Sequence, residues 1–164
     1  MHSVAGAPRI SRQPPGVQLE FDVYMWPLIV LTMPPVMTVD DLDYMQAAYE
    51  AVFAAPTRHA LVVDTTTFDK VPGADLRRRM KAFEDSMRSV IARKNICSGI
   101  IIQNSLVRGA YTALRWISPQ PAPNRAFADL RQATRWCIEG IEGDGQTVPL
   151  AARVLAGTAS ALSA

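Results

Sequence analysis

The sequence is poor in the residues that build reactive centres. It holds two cysteines and two histidines in 164 residues. That is too few for a disulfide framework, and the spacing is too wide for a metal cluster of usual ligand pattern. No stretch approaches the roughly 20 apolar residues of a membrane-spanning helix; the longest, Trp26 to Met33, stops at Pro34-Pro35. There is no Gly-rich phosphate loop or dinucleotide fingerprint, and Ser105 has no G-x-S-x-G elbow around it. Aromatic residues make up 7% and the formal net charge is +2. Nucleic-acid binding calls for a larger positive excess with interleaved aromatics, so it is not expected. These gaps remove metal centres, cofactor sites and the familiar nucleophile sets from the expectations.

What is present describes one ordinary α/β domain. Hydrophobic residues account for 49% and charged ones for 20%, inside the globular range and enough for one core. Residues 1–16 carry Pro8, Arg9, Arg12, Pro14 and Pro15. They read as a disordered leader rather than a secretory signal. With neither an export signal nor a disulfide pattern, the expected compartment is the cytoplasm.

Val17 to Tyr24 alternates apolar and polar residues, the pattern of a half-buried strand. Pro27 to Met33 is nearly continuous in apolar character, as a strand covered on both faces would be. The short turn between them predicts an antiparallel hairpin. Thr38 is a good N-cap, with Asp41 three residues on, for a helix whose stripe is Val39, Leu42, Met45, Tyr49, Val52 and Phe53. Pro56 ends it. Ala60 to Val63 is a third, buried strand. A second helix, capped at Gly73, runs to about Lys94 with the stripe Leu76, Met80, Phe83, Met87 and Val90-Ile91.

Ile96 to Gln103 is the fourth strand. Asn104-Ser105 opens a third helix to about Ile117, followed by a proline-stiffened connector, residues 118–123. Arg125 to Ala128 is a short fifth strand. Asp129 opens a fourth helix through Leu130, Ala133, Cys137 and Ile141, which Gly140, Gly143 and Gly145 are expected to terminate. The predicted order is β-β-α-β-α-β-α-β-α: a mostly parallel, mixed five-stranded sheet with four helices and right-handed crossovers. The domain spans 17–142. Residues 143–164 form a tail with a weak helix from Leu150 to Leu162.

Charge is unevenly distributed. Glu20 to Asp75 holds two basic residues against nine acidic ones, and Arg77 to Arg135 holds twelve basic against three acidic. Such asymmetry marks two interaction faces or two halves that attract within the fold.

The order of elements resembles the STAS domain, the fold of anti-sigma-factor antagonists. The chain is more closely similar to the bacterial SpoIIAA-like, or STAS/SEC14-domain, proteins. The residues that carry this are Trp26-Pro-Leu-Ile-Val30, Leu61-Val-Val-Asp64, Arg77-Arg-Arg79, Val107 to Trp116 with the proline connector, Arg125-Ala-Phe127 and Trp136. The resemblance spans roughly Val17 to Ile141. It implies a regulatory or protein-interaction module with a protein partner, using the second helix for recognition. It also implies phosphorylation of a Ser or Thr after the third strand, in an Asp-Ser-Ser-Gly or Asp-Ser-Thr-Gly pattern. The matching segment is Asp64-Thr65-Thr66-Thr67, with Thr66 at the third place of that pattern. The glycine is missing, since Phe68 and Asp69 follow, and the helix starts about six residues late.

Asp64, Thr65, Thr66 and Thr67 lie beyond the carboxyl end of a parallel strand, where open α/β sheets place ligands and partners. The competing reading is that the hydroxyls satisfy loop backbone groups. Arg108, Tyr111, Thr112 and Arg115 share one side of the predicted third helix. Arg108 and Arg115 are read either as an anion subsite or as structural cations. Arg77, Arg78, Arg79 and Lys81 form a solvated face or a partner surface. Cys97 and Cys137 are expected in the core, and His59 at the entry of the third strand, away from the Asp64 loop. The leading expectation is a non-enzymatic STAS-like module without a cofactor. The alternative is a small apolar ligand or lipid-binding protein, with Met33, Met37, Met45, Met80 and Met87 lining a pocket. Three tryptophans leave room for a homodimer.

Overall fold

The computed structural model describes residues 6–70, 72–105, 108–109 and 120–159. Its sheet has five strands in spatial order β1 to β5: β1 Glu20–Asp22, β2 Leu28–Thr32, β3 His59–Asp64, β4 Asn95–Ile101 and β5 Asn124–Phe127. β1 and β2 pair antiparallel, and every later neighbour pairs parallel. The helices among the described residues are α1 Val39–Ala54, α2 Ala74–Lys94, α3 Leu130–Gly143 and α4 Leu150–Leu155. The protein is therefore an α/β fold on a mixed sheet. Ser105, Arg108 and Gly109 are helical, and the rest of the helix expected at 104–117 lies outside the described residues.

From β2 onward the sheet steps the same way at each connection. Right-handed crossovers then put the connecting helices on one face. α1 and α2 do share a face and touch each other. The second face is covered by α3, which follows the last strand and packs on β3 and β4. Strand alternation divides the core accordingly. Ile29, Leu31 and Leu61 join α1 in one cluster, whereas Leu28, Ala60, Val62, Cys97 and Ile101 join α3 in the other.

Local signals set the boundaries. Thr38 and Asp41 form the reciprocal capping box of α1: the Asp41 amide donates to Thr38 Oγ1 at 3.1 Å and the Thr38 amide to Asp41 Oδ2 at 2.9 Å. Asp41 Oδ1 also accepts the amides of Gln18 and Leu19, at 2.8 and 2.9 Å. The carboxylate thus ties the chain entering β1 to the start of α1. Burial pushes its pKa up, but the bonds from Thr38, Leu19 and Gln18 outweigh burial, and the net shift is downward. Asp129 caps α3, accepting from the Gln132 amide at 2.9 Å.

Four features differ from the sequence expectation. Strand pairing in β1 covers three residues only, although Val17 and Leu19 ahead of it are buried. Within the stretch read as a leader, Ala7 and Ile10 pack on the α1-side core, and Gln13 Nε2 donates to Val17 O and Leu19 O. Gly140 does not terminate α3, which continues to Gly143. A Cβ at Gly140 would stand 2.9 Å from Cys97 Sγ, so this glycine permits close packing of helix on sheet. The turn belongs to Gly145, at φ 79°. Finally, the tail helix ends at Leu155, before Gly157 at φ 69°. It rests on α3 of its own chain, burying Val148, Ala152 and Ala156.

Candidate functional site

The rim at the carboxyl ends of the strands carries the threonines singled out in the sequence. Thr65 Oγ1 donates to Ile101 O, tying the β3 loop to the end of β4. Thr67 Oγ1 donates to Met33 O at 2.7 Å, tying it to the end of β2. The Thr66 amide donates to Asp64 Oδ1 at 2.9 Å, and Thr66 itself is exposed. Asp69 and Lys70 amides both donate to Pro35 O. Two of the three hydroxyls are therefore structural staples, and Thr66 is turned to solvent.

Arg108 stands on the same rim. Its Nη1 donates to Ile102 O at 2.6 Å and to Gln103 O at 3.0 Å, so it clamps the chain leaving β4. Arg115, Tyr111 and Thr112 lie outside the described residues, as does Trp116. The basic face of α2 has local partners: Arg78 pairs with Asp75, Lys81 with Asp85, and Arg79 reaches Asp43 of α1 at 2.6 Å. Arg77 Nη1 donates to Pro72 O at 2.7 Å. Arg78 with Asp75 and Arg79 with Asp43 both join the acidic first half to the basic second, and of these the Arg79 pair links two helices.

The more constructed site lies at the opposite end of the strands, on the α1/α2 face. A cleft of about 220 Å³ opens there between α1, α2, the starts of β3 and β4, and the residues leading into β5. Met45, Tyr49 and Phe53 come from α1, and Met80, Phe83 and Ile91 from α2. Their spacing is that of two apolar stripes facing each other. Tyr49 sits at the centre of a ring cluster, 5.2 Å from Phe21, 5.6 Å from Phe53 and 6.0 Å from Phe83 between centroids. Burial and the Glu84 carboxylate, which also lines the cleft, push the Tyr49 phenol up and keep it neutral.

The cleft also has polar lining. His59 and Asn95 are cross-strand partners at the first positions of β3 and β4. His59 is 1% exposed and Asn95 7%. Asn95 Nδ2 donates to Ser98 Oγ at 2.7 Å. Neither Asn95 Oδ1 nor His59 Nδ1 has a hydrogen-bond partner among the described residues. Buried polar atoms are almost always paired, so two orphans side by side require a reason. Burial, then the nearby Lys94 and Arg58, lower the His59 pKa to about 4, which leaves a neutral imidazole at pH 7. Both cations are engaged elsewhere: Lys94 Nζ donates to Ala55 O and Pro56 O, and Arg58 pairs with Asp144.

Of the five methionines expected to line a pocket, Met45 and Met80 do so. Met33 and Met37 are buried in the core, and Met87 is half-buried on α2. The two thiols meet on the other side of the sheet, Cys97 on β4 and Cys137 on α3: Cys137 is raised by its contact with Cys97 and by burial, and Cys97 is lowered by the same contact. The sheet separates both from His59, whose ring stands 5.8 Å from Trp26 and 5.6 Å from Phe53. No three His, Cys, Asp or Glu gather into a metal-holding group among the described residues, and no described helix is long and apolar enough to cross a membrane. Comparison with protein-family models, with curated proteins and with solved structures finds no match for this chain.

Sequence reasoning placed His59 at the entry of the third strand without giving it a role, and passed over Asn95. The available signal was a pair of polar residues, each directly ahead of an apolar strand run, His59 before Ala60-Leu-Val-Val63 and Asn95 before Ile96.

Proposed function

We propose that this protein is a non-enzymatic binding module of the STAS-like type, and that the cleft between α1 and α2 takes a small, mostly apolar molecule. The supporting observation is the pairing of an aromatic and thioether lining with two buried, unpartnered polar atoms, the composition of a ligand pocket rather than of a packed core. Size narrows the earlier apolar-ligand reading. A cavity of roughly 150 Å³ holds benzene, and drug-sized sites run to about 300–1,000 Å³. At about 220 Å³ the cleft suits a molecule of one ring, and a two-chain lipid does not fit. Titration of methyl-labelled protein with toluene tests this: Met45 and Met80 methyl resonances should shift, and that of Met33 should not. An unchanged spectrum at saturating toluene would refute the reading.

A second reading keeps the regulatory role at the β3 loop. Its support is that Thr66 is exposed at the tip of the loop, while the hydroxyls of Thr65 and Thr67 are used to hold the loop in place. A phosphate on Thr66 would add about −1.5 to −2 charge to the rim. Intact-mass measurement on protein from its native host should then find a phosphorylated fraction that Thr66→Ala removes. No such fraction in any growth state would set the switch aside.

A further inference from the structure

The orphaned atoms allow the ligand to be described more closely. Asn95 Oδ1 is an acceptor without a donor among the described residues, and the amide nitrogen of the same side chain donates to Ser98 Oγ. A carboxylate or phosphate offers only acceptors, so it would face Asn95 Oδ1 lone pair to lone pair. A hydrocarbon would leave this buried oxygen unpaired, which is costly. A molecule that supplies N–H or O–H meets the need. His59 Nδ1, one strand away, accepts or donates according to tautomer. Its complement is therefore a group with donor and acceptor together.

Charge in the surroundings points the same way. Glu84 lines the cleft and disfavours an anion entering. Of the cations nearest His59, Lys94 is held by backbone carbonyls and Arg58 by Asp144 through Nη1, and neither lines the cleft. An ion would also lose its hydration in a recess lined by Phe53, Phe83 and Ile91.

Resting on the binding role argued above, we propose that the cleft selects an uncharged, single-ring molecule bearing a primary amide or similar donor–acceptor head, with the head on Asn95 Oδ1 and His59 Nδ1 and the ring among Tyr49, Phe53 and Phe83. The head leaves its own bonds to water to make these, so its net gain is modest. The head sets selectivity, and the ring supplies most of the affinity through burial.

Benzamide, benzoate and toluene have the same ring and differ in the head. Their dissociation constants for the full chain, followed by Met45 and Met80 methyl shifts, separate the cases. Benzamide should bind about three- to tenfold more tightly than toluene, the worth of one net hydrogen bond, and benzoate more weakly than either. Asn95→Ala should erase the benzamide advantage and leave toluene binding in place. His59→Phe, whose ring suits the space beside Trp26 and Phe53, serves as the second variant and should reduce the same advantage. Equal binding of all three compounds would overturn the head-group assignment while leaving the apolar cleft intact. Preferred binding of benzoate would overturn it in favour of an anion site. Failure of all three to bind would remove the ligand-binding reading itself.

Discussion

His59 carries a cost that depends on pH. Its folded pKa, about 4, lies below the ordinary histidine value of 6.5. The unfolded chain therefore takes up a proton as pH falls through 6.5, while the folded chain does not until about 4. Stability is complete above 6.5 and declines across that window by about 1.4 kcal/mol per pH unit. The charged groups that act on the ring are Lys94 and Arg58, with Glu84 lining the same cleft. Denaturant midpoints measured between pH 7 and 4 should fall steeply for the natural chain and stay nearly flat for His59→Phe. Equal slopes would assign the loss to other groups. Asp41, held below the usual carboxylate range by its hydrogen bonds, acts in a separate window: its contribution persists above 3.8 and is lost only as pH falls lower.

Among the helices, α1 and α2 have similar apolar periodicity but different roles. Leu42, Met45, Ala48, Val52 and Phe53 of α1 are buried, and no residue of α2 is. Leu76, Met80, Phe83 and Met87 of α2 are half-covered. Leu42→Ala should cost about 2–5 kcal/mol, as expected for a fully buried side chain. Met87→Ala should cost less than about 1.5 kcal/mol, because solvent already reaches that site. Urea denaturation of the two variants checks the contrast, and equal losses would show α2 to be an anchored core element. Periodicity reveals which face of a helix turns inward. It does not reveal how much of that face the neighbouring element covers, which is why the stripe of α2 was legible and its partial burial was not.

The order of the elements, the antiparallel start and the parallel remainder were legible because alternation in 17–24, the apolar runs 28–32 and 60–63, and the Thr38 and Asp129 caps are local signals. The cleft was not. Its polar end depends on His59 meeting Asn95 across two strands, a pairing fixed by the crossover through α2 and by the register shift between His59 and Leu61. Gly140 was misread for the same reason: its use lies in the closeness of Cys97, which no neighbour in sequence announces.

At the scale of the whole molecule, each face of the sheet has its own cover, and α4 completes the one formed by α3. Removing residues 147–164 should uncover α3 and lower stability by on the order of 3 kcal/mol, given the apolar area of Val148, Ala152 and Ala156 now in contact. Thermal melts of the shortened chain check this, and an unchanged midpoint would make the tail an ornament.

The incompletely covered helix forms one wall of the cleft, and the first residues of two central strands form the other. A guest lodged between them would supply the burial that 74–94 lacks. Occupancy and the anchoring of that helix then become a single equilibrium, and amide exchange in this segment, more than anywhere else in the chain, would slow whenever the guest is home.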